Sequence, residues 1–188
     1  MTDAKLKTRL HVLILQHPQE PDKELGTARL AHAALQNSTL RVGLSWPNLS
    51  KALGRPAIHG HWGVLYLGGK AESTKAGGIP DLAKTPLEGI VVLDGTWAQA
   101  KTMWWRNPWL LKLKRIALRP SRPSLYGKLR REPRRECLST IESIAEALDA
   151  LGEDPKIGET LRADFAELLR KFGGPAAAPA PVALVTPK

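Results

Sequence analysis

The chain has 188 residues, enough for one domain with a real core, and 43% of them are hydrophobic, as in ordinary globular proteins. Its single cysteine, Cys137, excludes an internal disulfide framework and a cysteine-based zinc site; no apolar run nears the ~18 residues of a membrane span, and no secretory pattern follows Met1, so a soluble, cytoplasmic protein is expected. The formal net charge of +10 points to an anionic partner.

The elements are predicted in chain order as follows. Leu10 to Leu15 reads as a buried strand, and Thr27 to Leu35 as a helix with Leu30, Ala31, Ala34 and Leu35 on one face. A second strand is expected over Leu40 to Leu44, broken by Trp46-Pro47-Asn48, with a short helical turn or irregular stretch from Ser50 to Gly54. His61 to Leu67 reads as a third strand, ended by Gly68-Gly69, and Lys70 to Thr85 as a long polar loop. Ile90 to Leu93 is a fourth buried strand, followed by a helix over Trp97 to Arg106 and a further strand over Leu113 to Leu118. Ser139-Thr140-Ile141-Glu142 has the spacing of a capping box, and its helix should stop at Gly152. Ile157 to Phe172 is amphipathic. Residues 173–188, rich in Ala and Pro, read as a disordered tail behind a single domain over 1–172. Strands alternating with helices predict an α/β fold with a mostly parallel sheet flanked by helices.

The charge is concentrated. Between Lys112 and Arg135 lie ten basic residues and one acid, Glu132, which is nearly the whole net excess. Such a segment is the electrostatic footprint of a phosphate backbone. A membrane surface fits less well, because Pro120, Pro123 and Pro133 prevent a continuous amphipathic helix. An acidic protein partner is the other reading of the charge. Six tryptophans against two phenylalanines add a second oddity, with Trp104, Trp105 and Trp109 just before the basic segment. Core positions are expected for most of them, and stacking platforms for bases are the alternative.

The turn after the fourth strand carries the candidate chemistry. Asp94, Gly95, Thr96 and Trp97 follow directly on the apolar run, where ligands of open α/β sheets sit. Asp94 or Thr96 alone would read as a cap for the next helix. Trp97 shifts that balance, because an aromatic behind a cap can stack on a planar ligand. Other motifs carry less. Gly63 to Lys70 lacks the full phosphate-loop pattern, and no Gly-x-Ser-x-Gly elbow is present. His59 and His61 share a face if extended, but supply too few ligands for a closed zinc site, and His17 sits near the end of the first strand. Cys137 reads as a small buried residue beside a helix start.

Taken together, three blocks resemble the DTW-domain family, the tRNA-uridine aminocarboxypropyltransferases. They are Gln16-His17-Pro18-Gln19-Glu20 with Thr27-Ala28, then Leu93-Asp94-Gly95-Thr96-Trp97 with Gln99-Ala100-Lys101, then Tyr126, Arg130-Arg131-Glu132-Pro133 and Leu138 to Ala145. The resemblance covers roughly residues 9 to 170. It implies a SPOUT-like fold with a C-terminal knotted cofactor pocket, S-adenosylmethionine as co-substrate, and transfer of a 3-amino-3-carboxypropyl group to N3 of a uridine, most naturally in tRNA; from this chain's own residues, which lack the cysteines and supply too few histidines for a zinc site, no metal is expected. On that basis Asp94 is the candidate base or orienting acceptor, Thr96 a donor-binding hydroxyl and Trp97 a pocket wall. Leu67, Gly68, Gly69 and Leu93 would line the cofactor, and Leu138, Ser139 and Thr140 would close over it. Lys112, Lys114, Arg115, Arg122, Lys128, Arg130, Arg131, Arg134 and Arg135 would face RNA, with Arg130 or Arg134 alternatively holding the donor carboxylate. Two departures stand out: no cysteine cluster precedes the first block, and Leu67 to Ala71 lacks the family's usual Pro and acid. A SPOUT-type methyltransferase and a non-catalytic RNA-binding module are the rival readings.

Overall fold

Two apolar runs lie side by side at the middle of the sheet. The structure, a computed structural model, describes residues 5–21, 26–66, 86–118, 124–126 and 138–172. Strand β1 (His11–Gln16) pairs in parallel with β4 (Gly89–Asp94) along its whole length, from His11 opposite Gly89 to Gln16 opposite Asp94. With β2 (Ser38–Val42), β3 (Trp62–Tyr66) and β5 (Lys114–Ala117) they form a five-stranded sheet in the order β2-β1-β4-β3-β5, parallel at every pairing. The expected α/β architecture is therefore present. The expected knotted pocket is not shown by it, and of the residues expected to line that pocket Leu67, Gly68 and Gly69 lie outside the described residues.

Both faces of the sheet are covered, which is why its central strands read as unbroken apolar runs. Side chains alternate along a strand with period 2. Val12 and Ile14 of β1 and Ile90 and Val92 of β4 therefore enter one core. That core is completed by α1 (Thr27–Ala34), α4 (Thr140–Ala150) and α5 (Pro155–Lys171). Leu13, Leu15 and Val91 enter the other, with α2 (Leu49–Leu53) and the buried Trp62, Trp109 and Leu110. Helix α3 (Trp97–Arg106) lies on this second side, where Trp104 packs against the core. Gly89 has a packing reason to be glycine: a Cβ there would stand 2.5 Å from the His11 carbonyl oxygen and 2.6 Å from the Trp62 ring.

Several boundaries differ from expectation. Strand β2 begins at Ser38 and ends at Val42, two residues before the predicted span at each end. It is an edge strand paired with β1 alone, so polar residues can enter it without cost to a core. His59 and His61 are not extended: they belong to a 3-10 turn, His59–His61, that precedes β3, and His61 Nδ1 meets Glu88 Oε1 at 2.8 Å. Residues 49–53 form a true helix, capped by Asn48 and ended by Gly54 at φ +86°. Helix α4 stops as expected, with Gly152 at φ +81°. The loop over Lys70 to Thr85, Cys137 and residues 173–188 lie outside the described residues. Among the described residues no helix is long and apolar enough to cross a membrane.

His11 makes the fold sensitive to acid. Its Nδ1 lies 2.6 Å from Asn37 Oδ1 and its Nε2 2.9 Å from Thr39 Oγ1, tying β1 to the start of β2. Burial lowers its pKa below the ordinary value, with the Asn37 bond pulling the other way and Arg55 and His32 adding to the lowering. His32 is lowered too, mainly by burial. A histidine depressed in the fold contributes stability that is complete above its unfolded pKa of about 6.5 and lost as pH falls through that value towards the folded one. Melting temperature should hold between pH 8 and 7 and decline below about 6.5, and His11→Gln should make that decline shallower. Equal slopes for the two proteins would assign the acid sensitivity elsewhere.

Candidate active site at the carboxyl ends of β1 and β4

The sheet order sends the chain in opposite directions from its two central strands. After β1 the chain passes through α1 to β2 at one edge, and after β4 it passes through α3 to β5 at the other. Neighbouring strands whose continuations run to opposite edges define a topological switch point, the place where ligands bind in open α/β sheets. Gln16 and Asp94 are the last residues of those two strands and sit opposite one another.

Asp94 is only 7% exposed. By the period-2 alternation its side chain falls on the α4 side of the sheet, together with Val92. There Gln16 Nε2 donates to Asp94 Oδ2 at 2.8 Å, and the Thr140 hydroxyl donates to Asp94 Oδ1. Thr140 is the first residue of α4, so the carboxylate lies beside the positive end of an eleven-residue helix, which favours an anion. The Asp94 carbonyl also accepts from the His17 amide at 2.9 Å. Of the two capping candidates, then, only Thr96 caps. Its Oγ1 accepts from the Gln99 amide at 3.3 Å while Gln99 Oε1 accepts from the Thr96 amide at 2.7 Å. The Thr96 hydroxyl is an acceptor in this box, so its own proton is the part that can serve a ligand. Gln99 Nε2 reaches on to Gln19 Oε1 at 3.1 Å, joining the turns after β1 and β4. Trp97, next along, is 43% exposed beside this junction.

Ser139 and Thr140 have different jobs. The Ser139 hydroxyl donates to Glu142 Oε2 at 2.6 Å and accepts from the Glu142 amide at 3.3 Å, closing the predicted capping box. Glu142 is itself buried, at 5% exposure, and also accepts from Ser139 N (2.8 Å), Ser124 Oγ (2.8 Å) and Leu125 N (2.7 Å). It thereby ties the short stretch 124–126 to the start of α4, with Tyr126 buried edge-on against Phe165 at 5.0 Å. Thr140 is left to face Asp94. Leu93 points to the other side of the sheet, packed partly against the second core, and Leu138 is half-buried just before α4.

Gln16 is the residue that sequence reasoning left without a role. Its Oε1 is buried and has no hydrogen-bond partner among the described residues, while its Nε2 holds Asp94. The signal was available: a polar residue ends each of two apolar runs. It becomes meaningful only once β1 and β4 are neighbours. Of the residues expected to face cofactor or RNA, Leu67, Gly68, Gly69, Arg122, Lys128, Arg130, Arg131, Arg134 and Arg135 lie outside the described residues. Lys112 is exposed, whereas Lys114 and Arg115 are half-buried on the edge strand β5, with the Arg115 guanidinium 5.8 Å over the Trp104 ring. The three clustered tryptophans separate. Trp109 is buried and donates its Nε1–H to the Trp46 carbonyl at 2.9 Å, Trp104 is half-buried, and Trp105 is 72% exposed. Among the described residues no group of three or more His, Cys, Asp or Glu is placed to hold a metal ion.

Comparison with known proteins adds the family. Residues 2–172 match the model of the DTW domain. Curated relatives include tRNA-uridine aminocarboxypropyltransferase 2 of Macaca fascicularis, 33% identical over 158 residues, covering 80% of this chain and 51% of the relative. The mouse protein of the same name is 33% identical over 159 residues, covering 83% and 52%, and that of Drosophila melanogaster is 31% identical over 167 residues, covering 80% and 59%. The chain thus spans about half the length of the curated relatives it matches. No solved structure matches it. The matched span runs from before β1 to the end of α5 and contains the Asp94-Gly95-Thr96-Trp97 turn at the switch point, so the chain belongs to the DTW-domain family.

Proposed function

We propose that this protein is a cytoplasmic transferase that moves the 3-amino-3-carboxypropyl group of S-adenosylmethionine to N3 of a uridine in tRNA. The observation that carries the reading is the buried Asp94 carboxylate, held by Gln16 and Thr140 at the switch point, in a chain whose relatives bear that activity in their names. In the reaction a bond forms between N3 and Cγ of the methionine moiety. The Cγ–S bond breaks with its electron pair going to sulfur, and methylthioadenosine leaves. The N3 proton must also leave, because the neutral imide is a weak nucleophile. Asp94, fixed from two sides, takes that proton or orients the donor's ammonium group. Selection of Cγ over the methyl carbon is a matter of alignment, which a rigid site at the ends of two paired strands can impose.

Thr96 gives its hydroxyl proton to the donor, and Trp97 walls the pocket from the α3 side. Leu67, Gly68, Gly69 and Leu93 line the adenosine, and Leu138 with Thr140 closes the opposite side. Ser139 contributes by backbone and by holding the helix start, since its hydroxyl is engaged with Glu142. The basic segment, with Lys112 and Arg115 at its described end, faces RNA phosphate, and Arg130 or Arg134 holds phosphate or the donor carboxylate. The test is incubation of the protein with unfractionated tRNA and S-adenosylmethionine, followed by nucleoside mass analysis. Aminocarboxypropyluridine with methylthioadenosine is expected. S-adenosylhomocysteine as the by-product would make the protein a methyltransferase, and failure to bind the donor would leave an RNA-binding module.

A further inference from the structure

Helix α3 begins at the candidate site and turns the wrong residue outward. Only Met103 is fully buried along its ten residues. Trp97, Ala98, Lys101, Thr102, Trp105 and Arg106 are exposed. At 100° per residue these six fill one continuous arc of about 180°, with Trp105 near its middle. A core-facing helix places its largest apolar side chain inward. Here the indole at the centre of the solvent-facing arc is 72% exposed and belongs to neither core.

The charge carried by this helix and the turn after it has one sign. Lys101 and Arg106 share the arc, and Lys112 is exposed in the 3-10 turn that follows α3. No acid occurs anywhere from Gly95 to Arg131. Aromatic platforms set among cations, without acids, fit unpaired nucleic acid: cations meet phosphate and the ring meets a base face of any identity. They do not fit a basic protein surface, which like charge would repel.

We infer that the outward face of α3 is an RNA-docking ridge on which Trp105 stacks an unpaired base, and that Lys101 and Arg106 hold the adjoining phosphates. This rests on the proposal that the substrate is tRNA. The chemistry of that proposal suits such a ridge. N3 lies on the pairing edge of uridine, so a reactive uridine is unpaired or flipped out, and its neighbours in a loop are available for stacking. Trp105 lies about 12 Å along the helix axis from Trp97, at 1.5 Å per residue. That is the reach of roughly three or four stacked nucleotides.

The experiment measures binding of labelled unfractionated tRNA at several salt concentrations, with S-adenosylmethionine affinity, sedimentation and by-product analysis in parallel. Trp105→Ala should weaken tRNA binding about 5- to 150-fold with the salt slope and donor affinity unchanged. Trp105→Phe should restore most of the loss, which a bulk structural effect would not do. Lys101→Ala with Arg106→Ala should instead lower the salt slope by about 1 to 2. Unchanged tRNA affinity in Trp105→Ala overturns the inference. So does a loss that tracks dissociation of a dimer, which would mean that a second copy of this chain covers the face. If the wild type forms methylthioadenosine on tRNA while Trp105→Ala binds tRNA normally, the ridge fails and the proposed reaction stands. If Trp105 governs tRNA binding while no methylthioadenosine forms, the ridge stands and the reaction fails.

Discussion

Asp94→Asn should lose about 10²- to 10⁴-fold in turnover while remaining folded, the cost of removing a positioned base. Asparagine keeps the shape of the side chain. Its carbonyl can still accept from Thr140, and its amide can donate to Gln16 Oε1 once the Gln16 amide turns over, which keeps one bond between the two side chains and moves the Gln16 NH₂ to the buried position its oxygen held. Asp94→Ala offers no such exchange. It leaves the Thr140 hydroxyl and the Gln16 amide without their acceptor, at about 1–3 kcal/mol for each buried group left unmade. The two variants should therefore be similarly inactive but differ in melting temperature, with alanine the less stable. Turnover of Asp94→Asn within a few-fold of wild type would remove proton transfer from Asp94 and leave it as an orienting acceptor.

Glu142→Gln should be strongly destabilising for a single-atom exchange. Four donors converge on this carboxylate: the Ser139 amide and hydroxyl, the Ser124 hydroxyl and the Leu125 amide. A glutamine offers one acceptor oxygen and turns an NH₂ group towards donors, so at least one buried N–H or O–H loses its partner. A cost of about 2–4 kcal/mol follows, which lowers the melting temperature by roughly 4–16 °C for a chain of this size. Because Thr140 sits next to the disturbed cap, donor affinity should fall as well. A melting shift below about 2 °C would show that the loop 124–126 is held by something other than Glu142.

Local pattern was enough for the parts of this molecule that local physics decides. The α3 span and the α4 capping box follow from residues a few positions apart, and both are found where expected. The buried strands β1 and β4 announce themselves because both of their faces are covered. The edge strand β2 was expected but placed two residues late, since Ser38 and Thr39 carry no apolar alternation and owe their conformation to pairing with β1. Gln16 was unreadable as Asp94's partner because strand order is a property of the whole chain, and the two lie 78 positions apart. The tryptophans show the same limit. Trp104, Trp105 and Trp109 are nearly contiguous, yet helix phase and a 3-10 turn send them to a half-buried, an exposed and a buried position.

The bond between Thr140 and Asp94 also sets a clock. Its two ends are 46 residues apart, and chains lengthen at about 5–20 residues per second, so the carboxylate is synthesised roughly 2–10 s before the hydroxyl that holds it. The core on that side of the sheet is built largely from α4 and α5, through residues such as Ile144, Leu148, Leu161 and Phe165. Until those helices leave the ribosome and dock, Asp94 ends a strand whose covering has not yet been made. The nascent protein therefore carries the turn from Asp94 to Trp97 well before the helices that cover and hold it are complete.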